Sequence, residues 1–225
     1  MVEPDPLVES YPLVEPNPLV ELVETTNAVN DMVSTSSTSS TTVLRPVLAA
    51  VQRRRSHSKV TALAPTRAEL LPLVVAAARV PDHGALRPWR LLELRGEARE
   101  RLGEAFVAAS TCEGSDAIKL AGKPLRAPLL IAVVAARRVS DKVAGWEQDA
   151  AAAGVAHLLT LLLNDSGWGA MWRTGPFVRT APVRALHCLE ANEELLGWLY
   201  VGGVPAGSKP GVRMSINPEE FLTVL

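Results

Sequence analysis

The 225-residue sequence predicts an α+β domain, several helices around a modest sheet, behind a disordered N-terminal extension. Three observations carry this. Residues 129–134 are an unbroken apolar run of strand length, and residues 147–165 are an Ala- and Leu-rich stretch of helix length. The strand-like segments are too few and too widely separated for regular βαβ alternation. No GxGxxG or GxxxxGKS is present, so neither a Rossmann nor a P-loop site is expected.

Residues 1–44 read as disordered. Pro6-Leu7-Val8-Glu9, Pro12-Leu13-Val14-Glu15 and Pro18-Leu19-Val20-Glu21 recur at a period of 6, and proline at that interval forbids a helix and favours extended chain. The Ser/Thr tract at 34–42 that follows has nothing to bury.

From Arg45 to Leu225 the texture is that of a folded domain. Residues 46–54 predict a first helix. Thr66-Arg67-Ala68-Glu69 is a capping box, because threonine and glutamate satisfy each other's free backbone donors; the helix it opens runs to about residue 79. Pro81-Asp82-His83-Gly84 forces a loop. Strands are expected at 89–94, 129–134, 168–172 and 195–201, with helices at 97–110, 116–123, 147–165 and from Thr180. Helix 147–165, hydrophobic nearly all round, is expected to be buried by the sheet, other helices and a second subunit. The tail from Pro205 is turn-rich and long enough to wrap around a partner.

Composition narrows the function. A hydrophobic fraction of 48% supports a sizeable core, and two distant cysteines suggest neither a disulfide framework nor a metal site. A reducing, cytoplasmic setting is expected, with no membrane span. Net charge is −1, yet residues 1–44 hold seven acids and no Lys or Arg, leaving 23 basic against 17 acidic residues, a formal +6, on the domain. Those cations are dispersed along the chain, which suits a phosphate-bearing small molecule better than nucleic acid. The four histidines lack metal-ligand spacing, and no GxSxG elbow marks a hydrolase.

Three clusters pair cations with small polar groups. Arg53-Arg54-Arg55-Ser56-His57-Ser58-Lys59 either holds a phosphate through guanidinium forks and hydroxyls or complements the negative end of a helix. The loop carrying Arg79, His83 and Arg87 before Pro88-Trp89-Arg90 is either a wall for a planar anion or a structural turn. Trp172-Arg173-Thr174-Gly175 follows the apolar helix, where an arginine normally needs an anionic partner.

In order and spacing these clusters resemble the nitroreductase family, most closely its small single-domain NAD(P)H nitroreductase branch. Arg54-Arg55-Ser56 looks like the branch's RRS, Arg79-Val80-Pro81-Asp82-His83 with Arg87-Pro88-Trp89-Arg90 like its RAPDH…QPWRF, and Trp172-Arg173-Thr174-Gly175 like its WRSG. The resemblance implies a central mixed or antiparallel sheet surrounded by helices, and a homodimer with FMN at the interface, touched by both chains. It places Arg54, Arg55, Ser56, Arg79, His83, Trp172, Arg173 and Thr174 on FMN, Arg173 as a candidate for its phosphate. Leu162, Leu163, Asn164, Asp165, Ser166 and Gly167 fall where the branch binds the nicotinamide nucleotide. The implied activity is hydride transfer from NAD(P)H through FMN to a small-molecule acceptor, a nitroaromatic or quinone, in a ping-pong scheme. No side chain then needs to act as nucleophile. A flavin-modifying relative on the same fold, or a non-enzymatic FMN-binding protein, is the alternative. Leu86-Arg87 departs from the polar-amide pair usual before Pro-Trp, and Thr174 from serine.

Overall fold

The computed structural model describes residues 46–208 and 212–225; the extension read as disordered lies outside them. The first helix, α1 (Pro46–Arg53), buries none of its residues. Helix α2 (Arg67–Ala77) starts at the expected capping box, with the Thr66 hydroxyl accepting from Glu69 N and the Glu69 carboxylate accepting from Thr66 N at 2.7 Å. After a 3₁₀ turn at His83–Ala85 come β1 (Trp89–Leu94), α3 (Glu97–Ala108), α4 (Gly114–Ala121) and β2 (Leu129–Ala136). Then follow α5 (Gly145–Asp165), β3 (Trp168–Arg173), α6 (Ala181–Leu186) and β4 (Glu193–Gly203).

The four strands form one antiparallel sheet in the order β1-β2-β4-β3. Pairing puts the most apolar strand, β2, in the interior, and all eight of its residues are buried. Because alternate residues face opposite sides, Leu129, Ile131, Val133, Leu199 and Val201 pack against α2 and α5, while Leu130, Ala132, Val134, Trp198 and Tyr200 pack against α3, α4 and α6. A bulge in β4 pairs Val133 with Gly197 and Val134 with Leu195, so Leu196 is the extra residue.

The segment after α1 runs beside β3, where Ser56 forms a parallel bridge with Ala170 and His57 N donates to Ala170 O at 2.9 Å. It then crosses the sheet end over Gly169 and Gly202. A Cβ at Gly202 would lie 2.8 Å from Thr61 O, so this crossing needs glycine.

Helix α5 has one packed face and one open face. It is not enclosed within one chain: Ala151, Ala152, Val155, Ala156, Leu159 and Leu163 are buried, whereas Trp146 is 73% exposed and Ala150 and His157 also face outward. The sheet covers only one flank, so the all-round apolar pattern reflects an open face in addition to the packed one. No helix among the described residues is long and apolar enough to cross a membrane.

Candidate functional site

At the end of α1 the chain gathers cations. The Arg54 guanidinium donates to Ser56 Oγ at 3.5 Å, and Arg55 keeps a buried Nη1 without a partner among the described residues. Arg213, from the C-terminal tail, donates to Gln52 O at 3.1 Å and to Arg54 O, satisfying carbonyls left free at the helix end. Sequence reasoning missed Arg213, since nothing local to position 213 signals that the tail returns to α1.

Trp172, Arg173 and Thr174 lie on and just after β3, alongside this segment. Register sends the two larger side chains to opposite faces. Trp172, paired with Leu199, lies on the α5 side, where its Nε1 donates to Leu196 O at 3.1 Å and its ring meets His157 edge-on at 5.2 Å. Arg173, paired with Trp198, lies on the other side. Its guanidinium sits 5.1 Å from the Tyr200 ring centroid and donates to Ser58 O at 3.4 Å, while its buried Nε has no partner among the described residues. Burial pushes the Tyr200 phenol up to about 12 despite the opposing fields of Arg173 and Arg126.

Beyond Arg173 opens a cavity of about 440 Å³, floored by Trp198 and Tyr200, walled by Phe106 and Phe177, and reaching Thr174 and Gly175. Lys123, Arg126 and Arg173 line it, and none of the described residues that line it is acidic.

Arg79 and His83 stand elsewhere. Arg79 is exposed; His83 pairs with Glu147 at 3.0 Å near the start of α5, and this contact, with the Ala144 amide, holds the Glu147 carboxyl below its usual range. The α1 end meets the other end of α5, through Arg53–Asp165 at 3.2 Å and His57–Asn164 at 3.5 Å. From Glu147 to Asn164 the helix rises about 26 Å. One chain therefore does not bring His83 together with Arg54, Arg55 and Ser56, while Val80, next to Arg79, packs at Gly154, midway along the helix. Arg87, with φ +47, has its amide bonded to Asp82 at 2.7 Å, which holds that loop in shape.

The run at the end of α5 divides. Leu163 is wholly buried in the core. Leu162 and Asn164 are half-buried, and Asp165, Ser166 and Gly167 are exposed. Asp165 is paired with Arg53, so the acid near the expected nucleotide position is partly neutralised.

Below the cavity a buried polar cluster fixes its aromatic floor. His187 is 4% exposed; its Nδ1 donates to Val183 O at 2.8 Å, and its Nε2 accepts from Trp198 Nε1 at 3.0 Å. Both neighbours are satisfied only by the neutral ring with its proton on Nδ1. Burial, with the Arg90 charge adding to it against the Val183 bond, lowers the His187 pKa below 6.5. The unfolded chain thus takes up a proton that the native chain refuses. Stability from this group is complete above the unfolded pKa and is lost as pH falls through it. Thermal melts are expected to show stability falling by up to about 1.4 kcal/mol per pH unit below about pH 6.5 from this histidine. In His187→Gln that contribution is absent, and an unchanged slope between pH 7 and 5 would contradict the assignment.

Comparison with known proteins agrees with this architecture. Residues 51–203 match the Nitroreductase family. The chain is 32% identical over 173 residues to the Escherichia coli K12 protein named "Putative NAD(P)H nitroreductase YdjA", covering 76% of this chain and 94% of that one. Among solved structures, a nitroreductase-like family protein from Bacillus cereus superposes with a TM-score of 0.71 at 22% identity, over 86% of this chain and 99% of that one. A Bacteroides fragilis nitroreductase with bound FMN does so with a TM-score of 0.64 at 17% identity, over 81% and 100%. By sequence match over most of its folded part, and by fold, this chain belongs to the Nitroreductase family.

Proposed function

We propose that the protein is a cytoplasmic, homodimeric, FMN-dependent oxidoreductase that passes hydride from NAD(P)H to a nitroaromatic, quinone or similar acceptor in a ping-pong scheme. The observation that carries this reading is the convergence of Arg54, Ser56 and Arg213 at the end of α1, beside the Trp172, Arg173 and Thr174 segment of β3. The residues fit the cofactor. Arg55 Nη1 and Arg173 Nε are buried donors without partners among the described residues, a costly state that an anionic, acceptor-rich ligand relieves.

In this reading Arg54, Ser56 and Arg213 hold the phosphate end, and the backbone of Trp172, Arg173 and Thr174 orients the ring. Arg173 keeps positive charge near it. Bound FMN supplies the two-electron redox chemistry that no side chain here provides. His157 and Trp172 shield the α5 side. The exposed end of α5, around Asp165, Ser166 and Gly167, is the proposed contact for the nicotinamide nucleotide. Two free, exposed cysteines suit a reducing compartment.

The homodimer is supported by two features. His83, held at Glu147, lies about 26 Å along α5 from the Arg54 corner, so the two share one site only if a second copy supplies one of them. The face of α5 carrying Trp146, Ala150, Gly154 and His157 adjoins His83 and remains uncovered in one chain.

Phosphate-end binding makes a clear forecast. Arg54→Ala and Arg213→Ala should each weaken FMN retention about 10- to 100-fold, the worth of one charge-assisted contact, with circular dichroism unchanged. Wild-type flavin affinity in both variants would remove the phosphate assignment.

A further inference from the structure

The cavity on the α3 side of the sheet has a chemistry that cofactor binding at the α1 corner leaves unexplained. Its inner walls are aromatic: Phe106 stacks on Phe177 at 5.1 Å and meets Trp198 edge-on at 5.4 Å. At its rim Lys123 and Arg126 are exposed, and no ion pair among the described residues involves either one. Arg173, shared with the proposed flavin position, adds a third cation, and no acid among the described residues lines the cavity to balance the three. Unpaired like charges around a partly dry, aromatic cavity repel one another, and a bound anion turns that repulsion into attraction. The floor is held rigid by the His187–Trp198 bond, which suits a planar ligand.

We propose that this cavity binds a small aromatic carboxylate, its ring against Phe106, Phe177 and Trp198 and its carboxylate at Lys123 and Arg126, and that such a molecule is an electron acceptor of the enzyme. The second half rests on the flavin reading above, because the cavity reaches Thr174 and Gly175 beside the proposed ring position. With a nitro-substituted ligand the balance is simple. The nitro group takes two electrons and two protons to become nitroso and lose water. NAD(P)H supplies the electron pair and one proton as hydride, and solvent supplies the other proton. Lys123 and Arg126 take no part in the transfer; they choose which acceptor is held.

Calorimetric titration of the full-length protein, carrying whatever flavin it binds, with 4-nitrobenzoate and with nitrobenzene tests the binding half. The charged ligand should bind about tenfold tighter or more, as expected when a carboxylate meets a guanidinium. In Lys123→Gln/Arg126→Gln that preference should vanish while flavin per chain stays at the wild-type value. Equal affinity of the wild type for the two ligands overturns the proposal. Loss of flavin from the double variant overturns it too, since it would show that the cavity holds the cofactor. Should the wild type carry no flavin, the function reading fails while the calorimetric preference still decides the cavity. With flavin present, NADPH oxidation dependent on 4-nitrobenzoate decides the acceptor role, and its absence overturns that half.

Discussion

Gly197→Ala is expected to destabilise the protein by about 2–4 kcal/mol, the cost of forcing a side chain into a filled and conformationally unsuitable place. Gly197 has φ +122, which L side chains rarely adopt, and an added Cβ would lie 2.5 Å from Arg173 O and 2.9 Å from Trp172 Nε1. The backbone must move at the β4 bulge, where Leu196 O receives the Trp172 indole. Because the displaced atoms belong to the segment proposed to orient the flavin ring, FMN affinity should fall with stability. Gly207→Ala is the control: φ is +70 but nothing among the described residues lies within 4 Å, so only the backbone cost of about 1 kcal/mol remains. Equal denaturation midpoints for the two variants would show that the close approach at Gly197 carries no weight.

The second large effect concerns Arg90. Its Nε and Nη2 donate to the two Glu193 oxygens, both at 2.6 Å, and Nη2 also donates to His187 O and Cys188 O. The Glu193 side chain is only 8% exposed, and the Arg90 guanidinium beside it holds its carboxyl below the usual range. Arg90→Met strands that carboxylate, and a broken buried pair costs about 3–5 kcal/mol. Glu193→Leu added to Arg90→Met should recover much of the loss, since replacing both partners removes the unpaired charge. Urea unfolding of the single and double variants reads this directly. A double variant no more stable than Arg90→Met would mean that the cluster does not act through the ion pair.

Much of this fold is legible locally. The Thr66 to Glu69 spacing announces α2, and the unbroken apolar run of β2 announces a strand covered on both faces. Strand β4 is the informative exception. Its charged start at Glu193 and Glu194 gives no strand signal, because what makes Glu193 a buried strand residue is Arg90, 103 positions away. Helix α5 shows the complementary limit: an all-round apolar pattern does not say which flank meets the sheet and which stays open. At the site, the clusters around Arg54 and Arg173 are visible as charge among small residues, and their order is legible through family resemblance. That Arg173 turns to the α3 side follows from its pairing with Trp198, and that Arg213 reaches α1 follows from the path of the tail. Both are long-range facts with no local signature.

The central claim is flavin-borne electron transfer, and one titration tests it most directly. Purified full-length protein is examined by visible absorption before and after anaerobic addition of NADH or NADPH, then after addition of a quinone. About one FMN per chain is predicted, with its bands bleached by a nicotinamide donor and restored by the quinone. A colourless protein that gains no FMN when the cofactor is supplied would contradict the account.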